Sequence, residues 1–316
     1  MGTAKTVGSR ASVVRLSLSL AGLAMLAALL LAPRHTAAQS YSSGQPVFPA
    51  FEGWEKNDDG SFNFVFGYMN ENWQEEPNVP IGPDNNIQPG AADQGQPTHF
   101  QPRRNRFVFR VRVPKDFGAD KEMIWTLTTQ GKPQKAYATL RIDSLIENID
   151  IMSETGALGA GSSSPQIRAD KAPTVAIEGT ATRTAKVGQP VALTAVVTDD
   201  GIPKTGPPQA ARGRNPGLQP PFRPTVNKSL GLHVSWYMYR GAGKVSFEPA
   251  PVKAWEDTRT GANSPWAPYW VAPPVPPEGK YATQATFDQP GTYVLCARAD
   301  DGLLTSDAMV TINVTR

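Results

Sequence analysis

The sequence predicts an all-β chain of two β-sandwich domains behind a secretory signal. Three observations carry that reading. Apolar and polar residues alternate with period two through many short runs, turn residues separate those runs, and no long stretch has helical periodicity. The chain has 316 residues, with 31 Lys+Arg, 28 Asp+Glu, 3 His and 1 Cys. That length accommodates one or two domains beyond a targeting segment.

Residues 1–38 have the pattern of a signal peptide. Lys5, Arg10 and Arg15 form a basic start, and an apolar run extends from Leu16 to Ala32. Pro33 breaks it, and Thr36-Ala37-Ala38 places small residues at a cleavage site before Gln39. The rival reading is an uncleaved anchor, because the run approaches the roughly 17–25 residues that span a bilayer. After cleavage no membrane span is expected. Removal of residues 1–38 takes four basic residues and no acidic one, leaving 27 basic against 28 acidic residues. A nucleic-acid partner is therefore not expected, since that function needs a basic footprint.

The remaining His99, His233 and Cys296 exclude a three-histidine metal site, a multi-cysteine zinc site and an intrachain disulfide. No phosphate-binding loop, dinucleotide fingerprint or zinc-protease motif is present.

The first domain is expected over 39–155. Phe62, Phe64, Phe66 and Tyr68 alternate along one strand, and Asn57-Asp58-Asp59-Gly60 closes a hairpin with a preceding strand near 51–56. Phe107, Phe109, Val111 and Val113 alternate with Val108, Arg110 and Arg112 until Pro114 ends the strand. Met123, Trp125 and Leu127 mark the next strand, and Gln130-Gly131-Lys132 turns it into one near 135–141. A helical turn is placed within 144–153. Residues 156–171 are read as a linker, with GALGAGSSS at 156–164 flexible by composition.

The second domain is expected over 172–316. Strands are placed at 174–177, 191–198, 230–239, 245–248, 282–287, 292–298 and 309–314. Seven short strands separated by turns read as an immunoglobulin-like sandwich. Val191, Leu193, Ala195 and Val197 should face inward with Leu232, Val234 and Trp236, and with Tyr293, Leu295, Ala297 and Ala299. Cys296 then lies on the opposite face, outward or covered by a loop.

VTDDGIP at 197–203, LHVSWYMYRGAGKVSF at 232–247 and ATFDQPGTYVLCARADDGLLTSDAMVTINV at 285–314 resemble PKD-type (polycystic-kidney-disease-type) immunoglobulin-like modules of bacterial secreted proteins. The resemblance covers most of 172–316 and implies a non-catalytic spacer or interaction module. Insertions at 201–229 and 251–280 are longer than such modules have. EGWEKNDDGSFNFVFGYMN and PRRNRFVFRVRVP in the first domain resemble only uncharacterised secreted bacterial β-domains.

Three long loops are the places to seek a site. Residues 71–106 carry Glu71, Glu75, Glu76, Asp84 and Asp93 ahead of His99, Arg103, Arg104 and Arg106. This pattern fits a solvated loop of paired charges, with a glycan-processing hydrolase as an alternative. Residues 201–229 hold seven prolines, five basic residues and no further acid, and read as an extended arm. Within 251–280, Trp255, Trp266, Tyr269 and Trp270 crowd among seven prolines. Such rings either fold back on the sandwich or form a platform that stacks on sugar or anchors a protein. These four are the candidate ligand-binding residues. Asp199-Asp200-Gly201 and Asp300-Asp301-Gly302, with Asp307, make either plain turns or a calcium site. No other cofactor is expected. The functional expectation is a secreted or periplasmic non-catalytic interaction protein whose partner is an envelope or extracellular protein or glycan.

Overall fold

The computed structural model describes residues 2, 41–155, 164–204, 231–255, 257 and 272–316, and residues 41–316 form one compact unit. The signal segment, GALGAGSS at 156–163, most of the Pro-rich arm, and Trp266, Tyr269 and Trp270 lie outside the described residues.

The N-terminal half packs two three-stranded sheets. One has the order β1 (Val47–Lys56), β2 (Phe62–Asn70), β4 (Arg103–Val113), and the other β3 (Asn85–Gln88), β5 (Met123–Thr129), β6 (Lys132–Ala138). All of their pairings are antiparallel. The β5–β6 hairpin turns at Gln130 and Gly131, with φ of 52° and 69°. Positive values at both central residues belong to a turn whose twist matches that of the strands. Trp125 sits fully buried between the sheets, edge-on to Phe66 and Phe109 at centroid separations of 5.9 and 5.0 Å. Edge-to-face rings are favoured because the positive edge of one meets the negative face of the other.

Phe107 departs from the expected alternation. A register shift opposite Gly67 lies between the pairs Phe66–Phe109 and Tyr68–Asn105, and Phe107 takes φ 51° there. The bulge turns Phe107 to the outer face, where it packs with Val65, while Phe109, Val111 and Val113 stay inside. Gly67 cannot carry a side chain at this point. A Cβ there would collide with the Glu52 carboxylate and the Asn105 carbonyl.

The C-terminal half is a seven-stranded immunoglobulin-like sandwich with a split first strand. One sheet has the order β11 (Val245–Glu248), β12 (Lys280–Phe287), β9 (Val191–Thr198), β7 (Thr174–Ile177). The other runs β10 (His233–Arg240), β13 (Gly291–Asp300), β14 (Thr305–Thr315), β8 (Thr182–Lys186). Read alphabetically along the chain, these are D-E-B-A and C-F-G, with β8 continuing the first strand in parallel against β14. The expected inward residues of β9, β10 and β13 all meet in one core around Trp236. Two further marks of the fold are present. Tyr293, near the start of β13, is fully buried and donates its hydroxyl to the Gln289 carbonyl at 2.9 Å. Leu193 and Leu295 stand on the B- and F-type strands, where antibody domains carry a disulfide.

Cys296 is neither outward nor under a loop. It is fully buried with Tyr237 and Tyr239 in the core of the N-terminal sandwich, because the outer face of β10 and β13 packs on that sandwich. A second apolar contact joins Leu303 and Leu304, in the β13–β14 turn, to Val65, Phe107 and to Ile151 and Met152 of helix α1 (Asn148–Thr155). Both outer faces are apolar where they meet, which is why β2 reads as buried on either side.

Candidate binding surfaces and a buried carboxylate cluster

Residues 71–106 are built as framework rather than as a solvated loop. Asn85 on β3 donates its amide to the Val79 and Pro97 carbonyls and accepts the Trp125 indole N–H at 3.0 Å. Asn70 and Asn72, both fully buried, bind each other, and Asn70 holds the Glu75 and Phe100 carbonyls. The acids divide among separate contacts. Glu75 accepts the Gly44 amide, Glu76 meets His99 Nε2 at 3.0 Å, and Asp93 receives two bonds from Arg240 at 2.8 and 2.9 Å. The basic end pairs elsewhere, Arg104 with the buried Glu52 and Arg106 with Glu154. Burial pushes the Glu52 carboxyl up, against the pull of the Arg104 charge.

Of the four candidate aromatics, Trp255 is the described one. Ala254 packs on the N-terminal core, and the Trp255 ring lies 6.3 Å from Trp73, tilted by 57°. Arg103 stacks over Trp73 at 4.2 Å and donates to the Glu71 carbonyl at 2.7 Å. Lys253 lies 4.8 Å from the Trp255 centroid and pairs with Asp257 at 2.7 Å. The segment after β11 thus crosses to the first sandwich and makes a surface of two half-buried indoles, the half-buried Arg103 and the exposed Lys253. Each cation gains from the negative ring face below it. Arg103 was read from the sequence as part of a basic set, and Trp73 was not singled out. The available cue was a tryptophan within an acid-rich irregular stretch.

Between the sandwiches runs an open groove of about 660 Å³, lined by Val108, Phe109, Arg110, Tyr239, Val294 and Met309 among others. Its charges are already matched. Arg110 is held by Glu55, Arg240 by Asp93, and the buried Arg298 by Asp307 through two bonds of 2.8 Å. Asp307 is therefore engaged at the junction.

At the pole of the C-terminal sandwich, carboxylates gather from three segments. Asp170 follows the short helix α2 (Pro165–Arg168), Asp199 and Asp200 follow β9, and Asp300 ends β13 with Asp301 directly after it. Asp170 is 4 % exposed and Asp301 1 %. Turn contacts fix one oxygen of each loop aspartate: Asp199 Oδ2 accepts Gly201 N, Asp200 Oδ1 accepts Ile202 N, and Asp301 Oδ1 accepts Leu303 N and Leu304 N. Asp199 Oδ1 and Asp301 Oδ2 have no hydrogen-bond partner, and the Asp170 carboxyl has none beyond the Lys171 backbone amide beside it. Burial, with the charges of Asp200 and Asp199 and against the Lys171 backbone amide, pushes the Asp170 carboxyl up to about 7. Burial, opposed by its two backbone bonds and reinforced by Asp170 and Asp300, takes Asp301 to about 8. Asp199 is also raised, chiefly by burial. The sequence pointed to the two Asp-Asp-Gly turns. It missed Asp170, which arrives from outside the strand pattern.

Among the described residues no helix is long and apolar enough to cross a membrane. No family model and no curated protein matches the sequence. Solved structures with similarity include domains 4 and 5 of the S-layer protein SbsC, at 9 % identity and TM-score 0.24, over 86 % of this chain and 98 % of that one. The D00–D0 domain of intimin gives 9 % and 0.23 over 84 % and 99 %. The Yersinia pseudotuberculosis adhesin InvE gives 10 % and 0.24 over 85 % and 58 %. Scores at this level carry no argument about function, and the fold class rests on strand order and the Tyr293 corner.

Proposed function

We propose that the chain is a non-catalytic binding protein of the cell envelope or extracellular space, with a PKD-like module as its second sandwich and a protein or glycan as its partner. The observation that carries this reading is the Trp73–Trp255 surface with Arg103 and Lys253 above its rings. Indoles offer a large, stiff contact area at low entropic cost, and flanking cations supply polar contacts at the rim. The same segment leads on to Trp266, Tyr269 and Trp270, so all four candidate aromatics belong to one stretch of chain. Export is supported by the basic, apolar and small-residue order of residues 1–38.

The indole pair favours a glycan among partners, since flat ring faces match the apolar faces of pyranose rings. Purified protein should be retained on at least one of peptidoglycan, chitin and cellulose. Trp266→Ala/Trp270→Ala and Trp73→Ala/Trp255→Ala variants, checked for folding by near-ultraviolet circular dichroism, should each lose at least about tenfold in affinity, the cost of removing one or two anchor side chains. Retention unchanged in both variants removes the aromatic surface from the reading. No retention on any polymer leaves a protein partner. Release of soluble sugar would instead support the hydrolase alternative.

A further inference from the structure

We infer that the Trp73–Trp255 surface takes an acidic glycan, a sugar chain that carries carboxylates, and that the Arg103 guanidinium pairs with one of them. The inference rests on the binding surface proposed above and narrows its ligand class.

The arginines of β4 single out Arg103. The strand carries five, and four of them meet a carboxylate: Arg104 with Glu52, Arg106 with Glu154, Arg110 with Glu55 and Arg112 with Asp59. Arg103 is the exception among the described residues. Its hydrogen bond goes to a backbone carbonyl, that of Glu71, and its guanidinium lies 4.2 Å from the Trp73 centroid. Neighbouring acids are engaged elsewhere, Glu75 by the Gly44 amide, Glu76 by His99 and Asp257 by Lys253. Burial pulls the Arg103 guanidinium down, against the charge of Glu71, which acts on it through space. This half-buried cation has lost part of its water and keeps most of its five N–H donors for a ligand.

The backbone is built to hold that side chain in place. Arg103 takes φ 60°, in the left-handed region that a residue with a Cβ enters at a cost. Strain of this kind persists where the surroundings over-determine it, and it gathers at ligand sites. Here the buried Asn105 donates Nδ2 to the Pro102 and Arg103 carbonyls at 3.0 and 3.2 Å. The Gln101 amide donates to the Tyr68 hydroxyl at 2.9 Å. Trp73 is fastened as well, its amide donating to the Tyr41 carbonyl at 3.0 Å. Cation and indole are thus mounted together on fixed backbone, which lowers the ordering cost of binding. A planar guanidinium matches a carboxylate through two parallel bonds, a fit that an ammonium lacks. A sugar acid supplies both complements at once, an apolar ring face for the indoles and a carboxylate at its rim for Arg103. A neutral sugar supplies the first alone.

The test compares polygalacturonate with the same polymer after reduction of its carboxyl groups to alcohols, by affinity electrophoresis of the purified protein at pH 7.5. Wild type should bind polygalacturonate at least about tenfold more tightly than the reduced polymer, as one charge-assisted bidentate pair would give. Arg103→Gln, checked for folding by near-ultraviolet circular dichroism, should bring the two affinities within about twofold of each other. Arg103→Lys should restore less than half of the preference, because the fork is lost while the charge remains. Arg112→Gln, at an exposed pair with Asp59, should keep the full preference. Equal binding of the two polymers by wild type overturns the inference and leaves the aromatic surface standing. So does a preference that survives Arg103→Gln. Binding to neither polymer also overturns it, and retention on the neutral insoluble glycans then decides separately whether the aromatic surface holds sugar at all.

Discussion

Asp170 and Asp301 set a pH dependence opposite to that of most carboxylates. Their folded-state values of about 7 and about 8 lie above the roughly 3.9 of an unfolded aspartate. The native protein therefore holds protons that the unfolded chain has released, and stability falls as pH rises through that window. The contribution is complete below about pH 4 and gone once both folded values are passed. Asp93 and Asp59 work the other way. Asp93 is held below the usual range by its bonds from Arg240, and Asp59 by Ser61, so their contribution is lost as pH falls into the acid range. In EDTA the melting temperature should decline from pH 5 to pH 8.5. Asp170→Asn/Asp301→Asn should flatten that decline and exceed wild type by about 5 °C at the upper end, as a gain of a couple of kcal/mol would give. The groups facing the pair are Asp199, Asp200, Asp300 and His233, and the last two sit 3.9 Å apart. Equal slopes for variant and wild type in the same buffers would show that the two aspartates do not titrate here.

At the scale of elements, β3 is held by one side chain more than by its own ladder. The strand has four residues, and Asn85 spans from it to two carbonyls and to the indole at the centre of the core. Asn85→Ala strands those three groups in a buried setting and should cost roughly 3–5 kcal/mol, visible as a lower denaturation midpoint with unchanged slope. An Asn85→Asp change keeps only the indole contact, and should recover less than half of that loss. Such a role also explains what sequence periodicity could and could not reach. Strands such as β2, β5, β9 and β13 were legible because their alternating apolar residues answer to one buried face. β3 and β8 were not, because NNIQ and TRTAK carry no apolar alternation and owe their place to tertiary contacts. Phe107 was assigned to the wrong face because a bulge shifts parity without a local sequence mark other than the neighbouring Gly67. Of the candidate site residues, Trp255 was legible as an aromatic in a Pro-rich stretch. Its partner Trp73 was not, since nothing local announces a contact with chain more than 150 residues away.

The whole molecule behaves as one body where its two cores meet. Tyr239 donates its hydroxyl to the Gly95 carbonyl at 2.5 Å, and the Thr98 and His99 amides both reach the Tyr239 carbonyl at 3.2 Å. Arg240 adds four bonds to Asp93 and Gln96. The interface is thus apolar at Tyr237, Tyr239 and Cys296 and hydrogen-bonded along the edge of β10, the pattern of a permanent contact rather than of two hinged modules. Neither sandwich can open this face without exposing two tyrosines, so unfolding should follow a single transition by circular dichroism and by tryptophan fluorescence alike. Cys296 provides an independent probe of the same event. Burial raises its thiol well above the ordinary cysteine range, so the reactive thiolate is suppressed as well as hidden. Native protein at pH 8 should resist maleimide over hours and label within minutes in denaturant, and its labelling midpoint should coincide with the fluorescence midpoint. Tyr239→Ala should lower both midpoints together, by about 3–5 kcal/mol for a large buried aromatic. Labelling of Cys296 at a denaturant concentration where the tryptophan signal is still native would mean that the sandwiches part before they unfold, and the shared core would then be a docking contact between independent domains.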